Sequence, residues 1–222
     1  AASERLGVAI DPDAVVETLS VGERQRVEIV KALFHECRVL ILDEPTAVLV
    51  PQDAEILFGA IERLTASGIG VVFISHKLHE GTRIAARISI LRRGRIVTTV
   101  PAAGLSAPDI AALMVGARPE ARESDELADA LATGLGVTGD DIASDGGGDL
   151  PREHAAPASP AAPTPDGRVP ALRIRGLTVT QSAVNVLDRL DLAVAPGEIL
   201  GVAGVSGNGQ TELVRALCGM LP

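Results

Sequence analysis

Short apolar runs alternate along the chain with stretches whose apolar residues recur at helical spacing, and this pattern predicts a mixed α/β fold. Residues 39–42 and 71–74 are continuous apolar runs of the length of buried strands. Residues 52–66, between them, carry apolar side chains at helical spacing: Ile56, Leu57, Ala60, Ile61 and Leu64. A strand, a helix and a strand in this order predict a right-handed parallel crossover.

Further helices and strands are predicted on either side of this unit, from a helix-capping pattern and from hairpin-like strand patterns. Ser20 and Glu23 form the S-x-x-E pattern of a capping box, so a helix should start at Ser20. The residues after it place four side chains along one helical face: Val27, Val30, Lys31 and Phe34. Residues 88–91 and 96–100 predict an antiparallel hairpin at the sheet edge, and residues 109–115 predict a short closing helix.

The last fifty residues also predict strands and a helix, with a glycine-rich loop before the helix. Residues 172–179 and 187–194 alternate as strands, and residues 199–203 form a buried apolar strand. The glycine-rich stretch 204–211 follows at once, and residues 212–220 read as a helix. A strand, a glycine-rich loop and a helix in this order are the context that a phosphate-binding loop requires.

The middle of the chain differs in charge and composition. Residues 117–170 carry −7 of the net charge of −9, and six prolines fall between residues 151 and 170. Such a segment buries too little apolar surface to offset the entropy of ordering it. We therefore predict a flexible linker, with one short helix near residues 122–133, between two globular pieces.

Composition excludes several function classes. The net charge of −9 and the presence of only three aromatic residues argue against nucleic acid as a partner. No apolar run approaches the roughly 18 residues that span a bilayer, and no stretch resembles a signal peptide, so we expect no membrane span. Cys37 and Cys218 lie far apart without metal-ligand spacing, which indicates neither a disulfide framework nor a zinc site.

Three motifs in the first piece resemble those of one family. The stretch Leu-Ser-Val-Gly-Glu at residues 19–23, the Asp-Glu-Pro-Thr at residues 43–46 and the Ser-His at residues 75–76 look like the signature helix, Walker B strand and histidine switch of an ABC-transporter ATPase. In the second piece, residues 204–211 match G-x-x-x-x-G-K-[ST] except that Gln210 occupies the lysine position. A dinucleotide-binding fingerprint fails there, because Glu212 stands where its last glycine would be.

The resemblance implies roles for individual residues. Glu44 would be the general base for the attacking water, His76 would contact the γ-phosphate of ATP, and Asp43 with Thr211 would hold Mg²⁺. ATP would be bound by two sets of residues: Ser20, Val21, Gly22 and Glu23 of the signature, and Gly204, Gly207, Asn208, Gly209, Gln210, Thr211 and Glu212 of the loop and its helix. Simpler alternatives remain: Glu44 as a surface acid, Ser20 as a helix cap only, and the loop as a turn without a ligand.

The order of the motifs implies two incomplete copies of a P-loop NTPase-like ABC domain. Residues 1–116 resemble the back of a first domain, residues 117–170 the linker, and residues 171–222 the front of a second. Because ABC domains pair head to tail, the signature would face loop 204–211, whereas Glu44 and His76 would need a phosphate loop before Ala1. We therefore expect the 222-residue chain alone not to hydrolyse ATP at a useful rate. Val21, Arg24 and Val50 depart from the common motifs.

Tandem ATPases of simple-sugar and nucleoside importers look like this. The resemblance implies an ATP-binding subunit that energises solute import from the cytoplasmic face of the membrane. Its partners would be membrane permease subunits, a solute-binding protein, and either the missing parts of its own ABC domains or a second copy. Two alternatives stay open: an ABC-type ATPase without membrane partners, and a noncatalytic regulatory nucleotide-binding module.

Overall fold

The computed structural model describes residues 11–34, 37–116 and 169–221. Within them lie five α-helices: α1 Val21–Leu33, α2 Pro51–Ala66, α3 Leu78–Ile84, α4 Ala107–Val115 and α5 Gln210–Leu217. The strands are β1 Val39–Asp43, β2 Gly70–Ile74, β3 Arg87–Arg92, β4 Arg95–Pro101, β5 Leu172–Gln181, β6 Val184–Val194 and β7 Ile199–Ala203. The helix expected near residues 122–133, and almost all of the predicted linker, lie outside the described residues. In the described parts, no helix is both long and apolar enough to cross a bilayer.

Local sequence explains where the helices of the first segment, residues 11–34 and 37–116, begin and end. The capping box expected at Ser20 is present: its hydroxyl accepts from the Glu23 amide, and the Glu23 carboxylate accepts from the Ser20 amide at 2.8 Å. Pro51 occupies the first turn of α2, where its missing N–H costs nothing. Gly116 ends α4 in the left-handed conformation.

Five strands form one sheet in the order β1-β2-β7-β3-β4. The pairs β1–β2, β2–β7 and β7–β3 are parallel, and β4 runs antiparallel to β3 at the edge. The parallel pairing expected of a crossover from residues 39–42 through the helix to residues 71–74 and the predicted edge hairpin are therefore confirmed. Strands β5 and β6 pair separately as a two-stranded antiparallel sheet.

The central strand β7 comes from the far end of the chain. It lies between β2 and β3, with Val72 opposite Leu200 and Ile88 opposite Gly201. All five residues of β2 and all five of β7 are buried, as expected for strands covered on both faces. The expected organisation in two incomplete copies is thus not confirmed, because strands of both segments share one sheet.

Side-chain contacts connect the last segment, residues 169–221, to the first segment. The buried Arg87 of β3 donates from Nε to Glu198 Oε1 at 2.6 Å and from Nη2 to the carbonyl of Ala193 at 3.0 Å. Glu198 also accepts from the Ala195 amide at 2.7 Å. At the hairpin tip, Arg95 pairs with Asp188 of β6. The Arg87–Glu198 pair is buried, and further hydrogen bonds to the Ala193 carbonyl and from the Ala195 amide help to offset the desolvation of its two charges.

Apolar side chains fill both faces of the sheet. Helices α1 and α2 cover one face, and the second sheet with α5 covers the other. The buried residues of α1 are Gly22, Ile29 and Leu33, whereas Phe34, which the spacing placed on a common face with Val30, is 77% exposed. In α2, Phe58 is buried although the spacing did not select it, and Ile56 is exposed.

Candidate functional site

The carboxyl ends of β1, β2 and β7 meet at one edge of the sheet. Asp43 lies opposite Ile74, and Ile74 lies opposite Val202, so the segments that begin at Glu44, Ser75 and Gly204 leave the sheet side by side. Ligands of open α/β sheets bind outside the carboxyl ends of the strands. The sheet therefore brings the predicted acid pair, the predicted histidine and the glycine-rich loop to the same edge, whereas the order of the motifs predicts that Glu44 and His76 use a different phosphate loop.

Asp43 is the last residue of β1, and its side chain reaches solvent at the strand tip. The protein around it still removes part of its hydration, which raises the pKa of this carboxyl above its ordinary value. No charged side chain of the described residues contributes to this shift. A partly desolvated carboxylate at a ligand-binding edge is a natural partner for a cation.

Glu44 and His76 contact each other directly. The His76 amide donates to Glu44 Oε1 at 2.9 Å, and His76 Nδ1 lies 2.8 Å from Glu44 Oε2. The latter contact lacks hydrogen-bond geometry, so Oε2 remains a buried oxygen without a hydrogen-bond partner. Glu44 has a φ of +47°, a conformation that residues other than glycine rarely adopt. A strained, incompletely satisfied carboxylate of this kind indicates a functional group.

Beneath this pair lies a polar cluster made of Thr46, Ser75, Lys77 and Glu80, which we call the Glu80 cluster. The Thr46 hydroxyl donates to Glu80 Oε2 at 2.7 Å, and the Ser75 hydroxyl donates to the same oxygen at 3.0 Å. Sequence reasoning missed Glu80 and the whole of α3. The only signal was an acid three residues after Lys77, since the burial of Glu80 depends on Thr46, which is distant in sequence.

The glycine-rich loop is shaped by its backbone and by contacts to the β3–β4 hairpin. Gly207 and Gly209 have φ values of +84° and +105°, which only glycine adopts without strain. Asn208 accepts from the Arg93 amide at 2.7 Å through its side chain and from the Gly94 amide at 3.0 Å through its carbonyl. The loop is thus held against the hairpin tip of the first segment.

Gln210 begins α5 at the end of this loop. Its Nε2 donates to the Val205 carbonyl at 3.1 Å, so the side chain folds back over the loop. Thr211 and Glu212 stand in the first turn of α5, which packs against β1 and β6. Strand, loop and helix thus have the predicted order, with the strand at residues 199–203 as predicted and the helix beginning at Gln210 rather than Glu212.

The signature residues form the N-terminal end of α1. Ser20 and Glu23 form the capping box of α1, and their hydrogen bonds lower the pKa of the Glu23 carboxyl. Gly22 is buried against Asp53 of α2, which leaves no room for a Cβ. Val21 is half exposed. The pairing of Ser20, Val21, Gly22 and Glu23 with a phosphate of an opposing domain stays a prediction.

Oxygen donors at the edge fit Mg²⁺. Proteins bind this ion through one or two carboxylates together with phosphates of the substrate, and it keeps several waters. The Asp43 carboxylate and the Thr211 hydroxyl are oxygen donors that suit this pattern. In the part of the chain that the structure describes, no group of three or more His, Cys, Asp or Glu side chains could hold a metal on its own.

Comparison with known proteins agrees with these motifs. Residues 1–47 match the family model described as ABC transporter. The glucose import ATP-binding protein TsgD13 of Haloferax volcanii is 39% identical over 219 residues, which cover 98% of this chain and 33% of that protein. The nucleoside import ATP-binding protein NupA of Lactococcus lactis is 35% identical, over 98% of this chain and 36% of that protein.

A third relative is the ribose import ATP-binding protein RbsA 3 of Rubrobacter xylanophilus, 38% identical over 98% of this chain and 36% of that protein. The chain thus spans about a third of the length of these curated relatives. The similarity extends over both described segments and the residues between them. Together with the motifs at residues 19–23 and 43–46, it shows that the chain is a homologue of sugar and nucleoside import ATP-binding proteins, with a match to the ABC transporter model at residues 1–47.

Proposed function

We propose that this chain binds ATP with Mg²⁺ at the edge of the sheet formed by the tips of β1, β2 and β7. The observation that carries the proposal is the parallel pairing of β2 with β7, because it sets the glycine-rich loop beside Glu44 and His76. Backbone amides of the loop and of the first turn of α5 would hold the phosphates. The β-phosphate and γ-phosphate would then lie next to the carboxylates.

The residues at the edge divide the chemistry. Asp43 and Thr211 would hold Mg²⁺, which supplies positive charge to the phosphates when bound. Glu44 would accept the proton of the attacking water through Oε2, the oxygen that lacks a hydrogen-bond partner. His76 would turn from Glu44 toward the γ-phosphate when nucleotide is present, since its Nδ1 contact to Glu44 has no hydrogen-bond geometry.

In a protein of the full length of these relatives, hydrolysis would energise import of a small solute. The three relatives are named for glucose, nucleoside and ribose import, which supports a simple sugar or a nucleoside as the solute. Membrane permease subunits and a solute-binding protein would be the partners, with the ATPase on the cytoplasmic face. Hydrolysis would also need the signature of an opposing domain, so we expect the isolated chain not to turn over ATP at a useful rate.

Calorimetric titration of the purified chain with ATP, with and without Mg²⁺, tests the proposal. We expect binding that strengthens with Mg²⁺, and loss of the Mg²⁺-dependent part in Asp43→Asn. Glu44→Gln should keep the nucleotide affinity, because a general base contributes to the reaction and not to binding. Glu62→Gln, on the exposed face of α2, is the matched control and should match the unsubstituted chain.

Two outcomes would contradict the proposal. Absence of ATP binding at millimolar concentration would show that loop 204–211 does not hold phosphates. Glu44-dependent hydrolysis by the isolated chain at rates of about 1 s⁻¹, the lower end of ordinary enzyme turnover, would show that no opposing signature is needed.

A noncatalytic nucleotide-binding module is the second candidate, and Gln210 favours it. The neutral amide gives up the charge-assisted contacts of a lysine, each worth roughly 1.5 to 3 kcal/mol, and its Nε2 already donates to the Val205 carbonyl. Copurification of the longer protein with two membrane permease subunits would favour transport. A longer protein that binds ATP without Glu44-dependent hydrolysis would favour the module.

A further inference from the structure

Glu80 is a buried carboxylate for which the proposed function has no direct use. Its side chain is 4% exposed, and it sits on the short helix α3, just after the histidine loop. Burying an ionised carboxylate is costly unless it is paired and hydrogen-bonded. Three neighbours meet that cost: the hydroxyls of Thr46 and Ser75, both on Oε2, and Lys77, whose Nζ lies 3.7 Å from Oε1.

Each neighbour belongs to one of the two turns that carry the proposed chemistry. Thr46 is two residues after Glu44 and is fully buried. Ser75 is the residue before His76, and its backbone amide reaches the Val202 carbonyl of β7 at 3.4 Å. Glu80 therefore ties the turn after β1 to the turn after β2 through one carboxylate.

Lys77 closes the same connection from the other side. Its Nζ donates to the Thr46 carbonyl at 2.9 Å, and its amide donates to the Ser75 hydroxyl at 3.0 Å. The Ser75 hydroxyl thus accepts one hydrogen bond and donates another, to Glu80, so its orientation is determined from both directions. A polar network whose members are all satisfied in this way is rigid.

We propose that Glu80 is a positioning residue, which sets the distance between Glu44 and His76 by holding Thr46 and Ser75. In the proposed function, Glu80 has no contact with the nucleotide or the water. The strained Glu44, at φ +47°, is kept in place because Thr46 cannot move away while its hydroxyl is bound. The meaning of this positioning for ATP rests on the proposed function, whereas the geometry itself can be tested without nucleotide.

Hydrogen exchange of the His76 amide reports the contact directly, because this amide donates to Glu44 Oε1. We expect Glu80→Gln and Thr46→Val to lower its protection by at least fivefold in the nucleotide-free chain. Protection of the Val72 amide, in the buried centre of β2, should stay within twofold. Thr46→Ser keeps the hydroxyl donor and should restore protection at His76, which a loss of packing alone would not do.

Glu55→Gln is the matched control. Glu55 pairs with Arg83 of α3 at 2.6 Å, but both side chains are about half exposed, so its loss should change neither amide. The proposal is overturned if His76 protection is unchanged in both Glu80→Gln and Thr46→Val, or if it falls by the same factor as that of Val72. Because no nucleotide is present, these outcomes are independent of whether the chain binds ATP.

Discussion

The two halves of the candidate site lie at one edge of the sheet but are stabilised in different ways. Glu44 and His76 are backed by the buried Glu80 cluster, in which side chains bond to side chains within the first segment. The glycine-rich loop is held by left-handed glycines and by backbone contacts to the hairpin tip at Arg93 and Gly94. The carboxylate half is therefore held by side chains of the first segment alone. The loop depends on its contacts with the β3–β4 hairpin, in the other segment.

Substitution of Gly94 is the strongest way to break the contact of the hairpin tip with β6 and the loop. It has a φ of +73° in the tight turn between β3 and β4, and a Cβ there would collide with the Val186 carbonyl of β6. We expect Gly94→Ala to lower the free energy of unfolding by roughly 2 to 4 kcal/mol, from backbone strain plus steric overlap. Denaturant unfolding measures the loss.

Gly104→Ala is the control for backbone strain alone. Gly104 has a φ of +83°, but no atom lies within 4 Å of the place where a Cβ would stand. It should cost only about 1 kcal/mol, the usual penalty of the left-handed conformation. Equal losses for Gly94→Ala and Gly104→Ala would mean that the contact between the hairpin tip and β6 contributes nothing.

The sequence predicts where the strands lie along the chain better than how they are arranged in the sheet. Apolar runs gave β1 and β2 to within one residue and β7 without error, because continuous burial leaves a clear local pattern. The position of β7 between β2 and β3 was not predicted. Strand order depends on which edges are left open in three dimensions, and no local pattern encodes that.

Side-chain placement shows the same limit. Helical spacing cannot decide which face of α1 is buried when apolar residues lie on two faces, so Ile29 and Leu33 were passed over and Phe34 was selected. Helix α3 has seven residues with a glycine at its centre, too short for a periodic pattern. Glu80 became interpretable only when Thr46 was seen beside it.

Gln210 tests the loop half by chemistry rather than by fold. Its Nε2 donates to the Val205 carbonyl, a neutral bond that a charged lysine would exchange for contacts to phosphate. We expect Gln210→Lys to raise ATP affinity roughly tenfold to a hundredfold, the equivalent of one charge-assisted hydrogen bond. Titration calorimetry with Mg²⁺ and ATP is the measurement.

Gln210→Met is the matched control, with similar length and no amide. It should weaken binding by less than about tenfold, since only a neutral hydrogen bond is lost. If the lysine variant binds no better than the methionine variant, the side chain at this position does not face the phosphates, and the proposed site would have to exclude it.

The ion pair between Arg95 and Asp188 gives the smallest expected effect. The hydrogen bond from Arg95, helped by the charge of Arg95 and by Arg189, holds the pKa of Asp188 below its ordinary value. A carboxyl with a lowered folded-state pKa contributes stability above its unfolded pKa, and this is lost as the pH falls through the folded value.

Asp188→Asn should therefore be less stable than the unsubstituted chain at pH 7, and the difference should shrink at pH values below about 4. Unfolding curves recorded between pH 7 and pH 2 measure it, and in an Arg95→Met background the same substitution should have almost no effect. A difference that stays constant with pH would mean that Asp188 acts by packing against the hairpin and not by its charge. The backbone contacts of Gly94 would then be the main connection between the hairpin tip and β6.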